Sequence, residues 1–128
     1  MEKVKRWILV AAWMGLIFYL SSISNFKVPD RLVNSISNNI AHFTEFFILC
    51  MLLFRAIKKS TQWEIKKIIV VSWIFSVIYA FLDEFHQSFV PGRFPSLVDI
   101  FVDTLGILSF GGVVLWRVNR EKSPLFNS

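Results

Sequence analysis

A single cysteine occurs in 128 residues. No intramolecular disulfide can form, and Cys50 lies inside an apolar block where it says little about the redox compartment. Sustained period-two alternation is missing too, which sets aside a closed barrel as the way through a membrane. Charged residues make up only 18% of the chain, and almost none falls inside the long apolar blocks. A net charge of +5 raises the question of nucleic acid. The bases flank apolar blocks, however, and form no stripe with interleaved aromatics, so nucleic acid is not expected as a partner. No tight metal motif such as H-E-x-x-H is present. The length allows one domain, residues 1–128, and no more.

What is present is hydrophobic bulk: 55% of residues are apolar and 14 are Phe. A helix crossing the hydrocarbon core needs about 20 mostly apolar residues, with a range near 17–25. Segments 7–23, 40–57, 67–83 and 98–116 meet that demand, the third only with its flanks counted. The expected fold is therefore all-α, a polytopic membrane protein built as a bundle of four transmembrane helices. A signal peptide is the competing reading of the first block, which has a basic start, an apolar run and then small residues. Its cleavage pattern is poor, and retention is expected.

The bases give a direction. With the N-terminus inside, Lys3, Lys5, Arg6, Arg55, Lys58, Lys59, Lys66, Lys67, Arg117, Arg120 and Lys122 are cytoplasmic, 11 of the 14 Lys and Arg residues. Only Lys27, Arg31 and Arg93 fall in the outer loops. Such a bias sets orientation, and both termini are expected in the cytoplasm. Trp7, Trp63 and Trp116 would then sit near the inner interface.

With that topology the acidic and histidine side chains gather at the outer ends of the spans. His42 and Glu45 open the second span, Asp83, Glu84, His86 and Gln87 close the third, and Asp99 and Asp103 open the fourth. Ser21 and Ser22 finish the first. His42 and Glu45 are three apart and Asp99 and Asp103 four apart, so each pair shares a helix face. A charge at mid-bilayer costs at least about 2.5–3.5 kcal/mol. The pairs should turn inward and line a polar pocket open to the outer face.

Plainer readings stand beside this one. Asp99 follows Ser96 by three, as in a capping box, and a carboxylate suits a helix N-terminus. Asp103 and Glu45 lie deeper and escape that explanation. Asp83 and Glu84 sit at a helix C-terminus, where the dipole disfavours anions, and Arg93 is their expected partner. His42 reads equally as a satisfied interfacial histidine. Pro91-Gly92 reads as a turn folding the third span back onto the fourth.

The stretch DEFHQSFVPGRFPSLVDIFVDTLG (83–106) resembles the signature of the VanZ-like membrane proteins, as do FYLSS (18–22) and AHFTEFFILCMLLFRA (41–56). The family often follows its Ser-Ser pair with Gln, where this chain has Ile23. The resemblance implies a small multi-pass protein of the bacterial plasma membrane and an association with teicoplanin resistance. Its motif residues here are His42, Glu45, Asp83, Glu84, His86, Gln87, Arg93, Asp99 and Asp103.

Two functions follow as expectations. One is an enzyme acting on a lipid headgroup or lipid-linked wall precursor. Glu45 or Asp103 would serve as base, His86 or His42 as proton partner, and Arg93 would hold a phosphate oxygen. Gln87, Asp83, Glu84, Asp99 and Ser22 complete the candidate binding set. A divalent metal held by His86 and the carboxylates is a variant of this scheme. The other function is a non-catalytic module binding an envelope lipid, a partner protein or a glycopeptide-related target. Transport is disfavoured, because no ionisable residue continues the path into the inner half of the spans.

Overall fold

The computed structural model describes residues 1–23 and 31–122, with the side chain of Arg31 outside the description. They form four helices: α1 Glu2–Ser22, α2 Arg31–Ser60, α3 Ile65–Gln87 and α4 Leu97–Glu121. No strand occurs among the described residues. At 1.5 Å rise per residue, each helix is about 30 Å long or more, and all four are apolar enough to cross a membrane. The four-helix architecture expected from hydropathy is the one observed.

The largest difference lies in α2. Hydropathy opens it at Ile40, whereas the helix begins at Arg31. Residues 31–39 carry three Asn and two Ser, so they lower any hydropathy window without breaking the helix. The missing signal is a proline or glycine, and segment 31–60 contains neither.

The chain runs up and down. Trp7 at the start of α1 donates its indole N–H to Ser60 Oγ at the end of α2, at 3.0 Å. His42 near the start of α2 meets Asp103 near the start of α4, so these two helices are parallel. The α2–α4 interface is the most extensive; α1 packs on α2 and α3, and α4 on α2 and α3. The core side chains of α2, from Phe46 through Leu49, Cys50 and Leu53 to Ile57, are buried. Their spacing of three and four keeps them on one face, where they meet Ile17 of α1, Ile68 and Ile69 of α3, and Ile107 and Phe110 of α4.

Small residues bring the backbones close. A Cβ at Gly106 would collide with the Phe43 carbonyl, so glycine is what allows α4 to lie against α2, a packing mode favoured where lipid supplies no hydrophobic drive. Polar side chains add rivets. Trp13 Nε1 donates to the Glu45 carbonyl at 2.9 Å, and the Tyr79 hydroxyl donates to the Met14 carbonyl at 2.6 Å. The outward faces are oily: Phe75, Phe81, Phe85, Phe101, Leu105 and Leu108 are all exposed. Large side chains of this kind are stable facing hydrocarbon and not water.

The α3–α4 connection turns at Val90-Pro91-Gly92-Arg93. The Arg93 N–H reaches the Val90 carbonyl at 3.1 Å, and Gly92 has φ +82°. Proline followed by glycine with positive φ is the type II turn pattern, as the sequence predicts.

Candidate functional site

One end of the bundle is basic and the other acidic. The 11 bases assigned to one side by the sequence flank the start of α1, the end of α2, the start of α3 and the end of α4, which the up-and-down path gathers together. Trp7, Trp63 and Trp116 lie at the same end, and Lys67 and Arg120 sit over the Trp63 and Trp116 rings. Of the three bases left over, Arg93 lies at the opposite end, Arg31 is the first residue of α2 and not part of a loop, and Lys27 lies outside the described residues.

At the acidic end the deepest feature is a His–Asp pair. His42 Nδ1 lies 2.9 Å from Asp103 Oδ1, and the two side chains are 5% and 1% exposed. Helical spacing explains the meeting: each residue sits one turn or more inside its span, on the face where α2 and α4 pack. With Asp103 ionised its oxygen only accepts, so Nδ1 carries a proton and Nε2 is the ring nitrogen left to exchange one. Asp103 Oδ2 is buried without a hydrogen-bond partner. Such an orphan is uncommon in a packed interior and calls for an explanation.

Glu45 follows His42 by three on the same face. Half-buried, it stands within electrostatic reach of His42, Asp83, Asp103 and Arg93. Asp99, one turn above Asp103, accepts from Asn38 Nδ2 at 3.3 Å. Asn38 precedes His42 by four and shares its face; a helix opened at Ile40 hides it.

The end of α3 makes two further contacts. Asp83 Oδ1 accepts from Ser21 Oγ at 2.5 Å, and Asp83 Oδ2 accepts from Gln87 Nε2 at 2.8 Å. Glu84 Oε1 accepts the backbone N–H of Ser96, while its Oε2 is buried and unpartnered. Ser96 caps α4 through Val98 N–H at 3.2 Å. The second half of the expected capping box thus comes from Glu84 on α3 and not from Asp99.

Arg93 corrects another expectation. It forms no ion pair with Asp83 or Glu84. Nε donates to the Ile23 carbonyl at 3.0 Å and Nη2 to the Leu20 carbonyl at 3.4 Å. The guanidinium closes the C-terminus of α1, where free carbonyls and the negative end of the dipole attract a cation. Asp83 needs no cation because a hydroxyl and an amide donor serve its two oxygens, and Glu84 has a backbone donor on one oxygen.

His86 faces α1 and stands apart from His42. Its Nε2 is 2.9 Å from Ser22 Oγ, and the ring stacks on Phe18 at 4.1 Å between centroids. The structure therefore divides the candidates. His42, Glu45, Asp99 and Asp103 line the α2–α4 seam, and Ser22, Asp83, His86, Gln87 and Arg93 tie α1 to α3 and its loop. Glu84 bridges α3 to α4. Asp83 remains within electrostatic reach of Glu45 and Asp103, so the two groups adjoin. Among the described residues, no three His, Cys, Asp or Glu side chains come together as a metal-ion site, and the metal variant finds no donor set.

The sequence profile of VanZ/LLP1 matches residues 6–119, nearly the whole described chain. The chain belongs to the VanZ/LLP1 family. It is a multi-pass membrane protein by its four apolar helices, and the family's association is with glycopeptide resistance. No curated protein and no solved structure matches it. Every motif residue of this VanZ/LLP1 chain lies in or beside the acidic-end layer, including Arg93, whose role closing α1 has no sequence signal.

Proposed function

We propose that this chain acts at the outer surface of the bacterial plasma membrane, on the polar headgroup of an envelope lipid or lipid-linked wall precursor. The bias of bases toward one end supports that orientation, with the acidic end extracytoplasmic. The observation that carries the reading is the buried His42–Asp103 pair with an unpartnered carboxylate oxygen beside it. Asp103 orients the imidazole, and His42 Nε2 is the nitrogen able to take a proton from a substrate hydroxyl or water. Glu45, a turn deeper on the same face, is the second acid–base candidate. Arg93 offers a positive charge at the rim for a phosphate oxygen. Half-buried Asp99 and Arg93 and exposed Ser22 are the groups a headgroup reaches first.

A second reading has its own support. Asp83 accepts two hydrogen bonds and Arg93 closes a helix, which are structural duties and suit a non-catalytic module binding an envelope lipid or partner. Comparing membrane lipids and wall precursors in cells with and without the chain separates the two. Catalysis predicts a species that appears or disappears with the chain. An unchanged chemical profile contradicts catalysis and leaves the binding module.

A further inference from the structure

At the basic end, far from the polar layer, a cleft of about 260 Å³ opens between the start of α1 and the end of α2. This approaches the lower end of ordinary small-ligand sites, roughly 300–1,000 Å³. Glu2, Lys5, Arg6 and Leu9 line it from α1, and Leu52 and Arg55 line it from α2. Three cations face one carboxylate. Glu2 lies 3.6 Å from Lys5, with both side chains 62% exposed, and such a surface pair holds weakly. Neither Arg6 nor Arg55 forms an ion pair among the described residues. Arg6 Nε is buried without a hydrogen-bond partner, an unsatisfied donor beside the opening.

The lining is ordered by depth. Leu9 follows Lys5 by four on α1, about 6 Å further into the membrane at 1.5 Å per residue. Leu52 precedes Arg55 by three on the antiparallel α2, about 4.5 Å deeper. Cations thus stand at the rim and leucines below them, between two spans.

We propose that this cleft binds an anionic phospholipid of the leaflet at the basic end. The phosphodiester sits among Lys5, Arg6 and Arg55, and its acyl chain follows Leu9 and Leu52. Basic pockets between spans recognise headgroups in this way. Arg6 supplies the donor that is otherwise unsatisfied. A soluble phosphate would use the same cations and gain nothing from the leucines.

The test uses the purified full-length chain in detergent and three probes: short-chain phosphatidylglycerol, short-chain phosphatidylcholine and inorganic phosphate. Binding is followed by native mass spectrometry, and folding by thermal midpoint without lipid. Phosphatidylglycerol is expected to bind saturably at one per chain and more tightly than the other two probes. Arg6→Gln and Arg55→Gln should each weaken it about fivefold, the effect of one interfacial cation. Lys59→Gln with Lys66→Gln removes two exposed charges at the same end, outside the cleft, and should leave binding within twofold of the wild type. Arg55 is exposed, so its replacement keeps the core intact. Equal weakening by the control pair would mean diffuse surface charge and overturn the proposal. Inorganic phosphate binding as tightly as phosphatidylglycerol, or no preference over phosphatidylcholine, would overturn it equally.

Discussion

Asp83 and Asp103 are both buried at the acidic end, yet their surroundings give them different duties. Asp83 has both oxygens occupied by Ser21 and Gln87, whereas Asp103 has one oxygen on His42 and one without a partner. Asp83→Ala strands the buried Gln87 amide and leaves Ser21 Oγ only the Phe18 carbonyl, which costs about 1–3 kcal/mol. Ser22→Ala removes an exposed hydroxyl and should change stability by no more than about 0.5 kcal/mol. Thermal unfolding in detergent reads both changes. Equal midpoints for the two variants would contradict the assignment of Asp83 as the α1–α3 tie. Spacing makes Asp103 legible in the sequence, because a carboxylate a full turn past the helix start is not explained by capping. It does not reveal the partner of Arg93. Charge complementarity in sequence favours the nearest carboxylates, but the closest acceptors in space are backbone carbonyls of α1, which carry no sequence signature.

Pairs of helices are joined by contacts that only the fold can supply. Ser96 caps α4 through its own hydroxyl, and Glu84 reaches across from α3 to take the Ser96 N–H. The sequence shows a capping box with Asp99 in the third position; the structure assigns Asp99 to Asn38 instead. Asn38 is hidden from a hydropathy reading, which registers where a helix becomes oily and not where it begins. The α2–α4 seam rests on Gly106, whose missing side chain admits the Phe43 backbone. Gly106→Leu should separate the two helices and cost about 1–3 kcal/mol through overpacking. It should also disturb the His42–Asp103 pair one turn above. A variant with unchanged unfolding midpoint would show that the seam tolerates bulk and that close approach is not required.

Over the whole molecule, the arrangement is polar in the literal sense, with 11 of the 14 bases and Trp7, Trp63 and Trp116 at one end and both histidines and the buried carboxylates at the other. Hydropathy and charge bias make the number of spans and this asymmetry legible, because both are properties of long segments. The division of the polar layer into an α2–α4 seam and an α1–α3 tie is not legible in them, since it depends on rotation of each helix about its axis. Sidedness is open to direct measurement. The single natural cysteine, Cys50, is 1% exposed, so introduced thiols report alone. Ser88→Cys should react with a membrane-impermeant thiol reagent on intact cells, and Lys122→Cys only after permeabilisation. The reverse pattern would place the acidic layer in the cytoplasm and contradict its proposed role at the outer surface. The central claim is that the His42–Asp103 pair performs chemistry on an envelope headgroup. Its most direct test is the lipid and wall-precursor profile of cells carrying wild type or Asp103→Asn at matched membrane abundance. The species altered by the wild-type chain should return to the level of cells lacking it. A profile identical to wild type in the Asp103→Asn cells would contradict the claim.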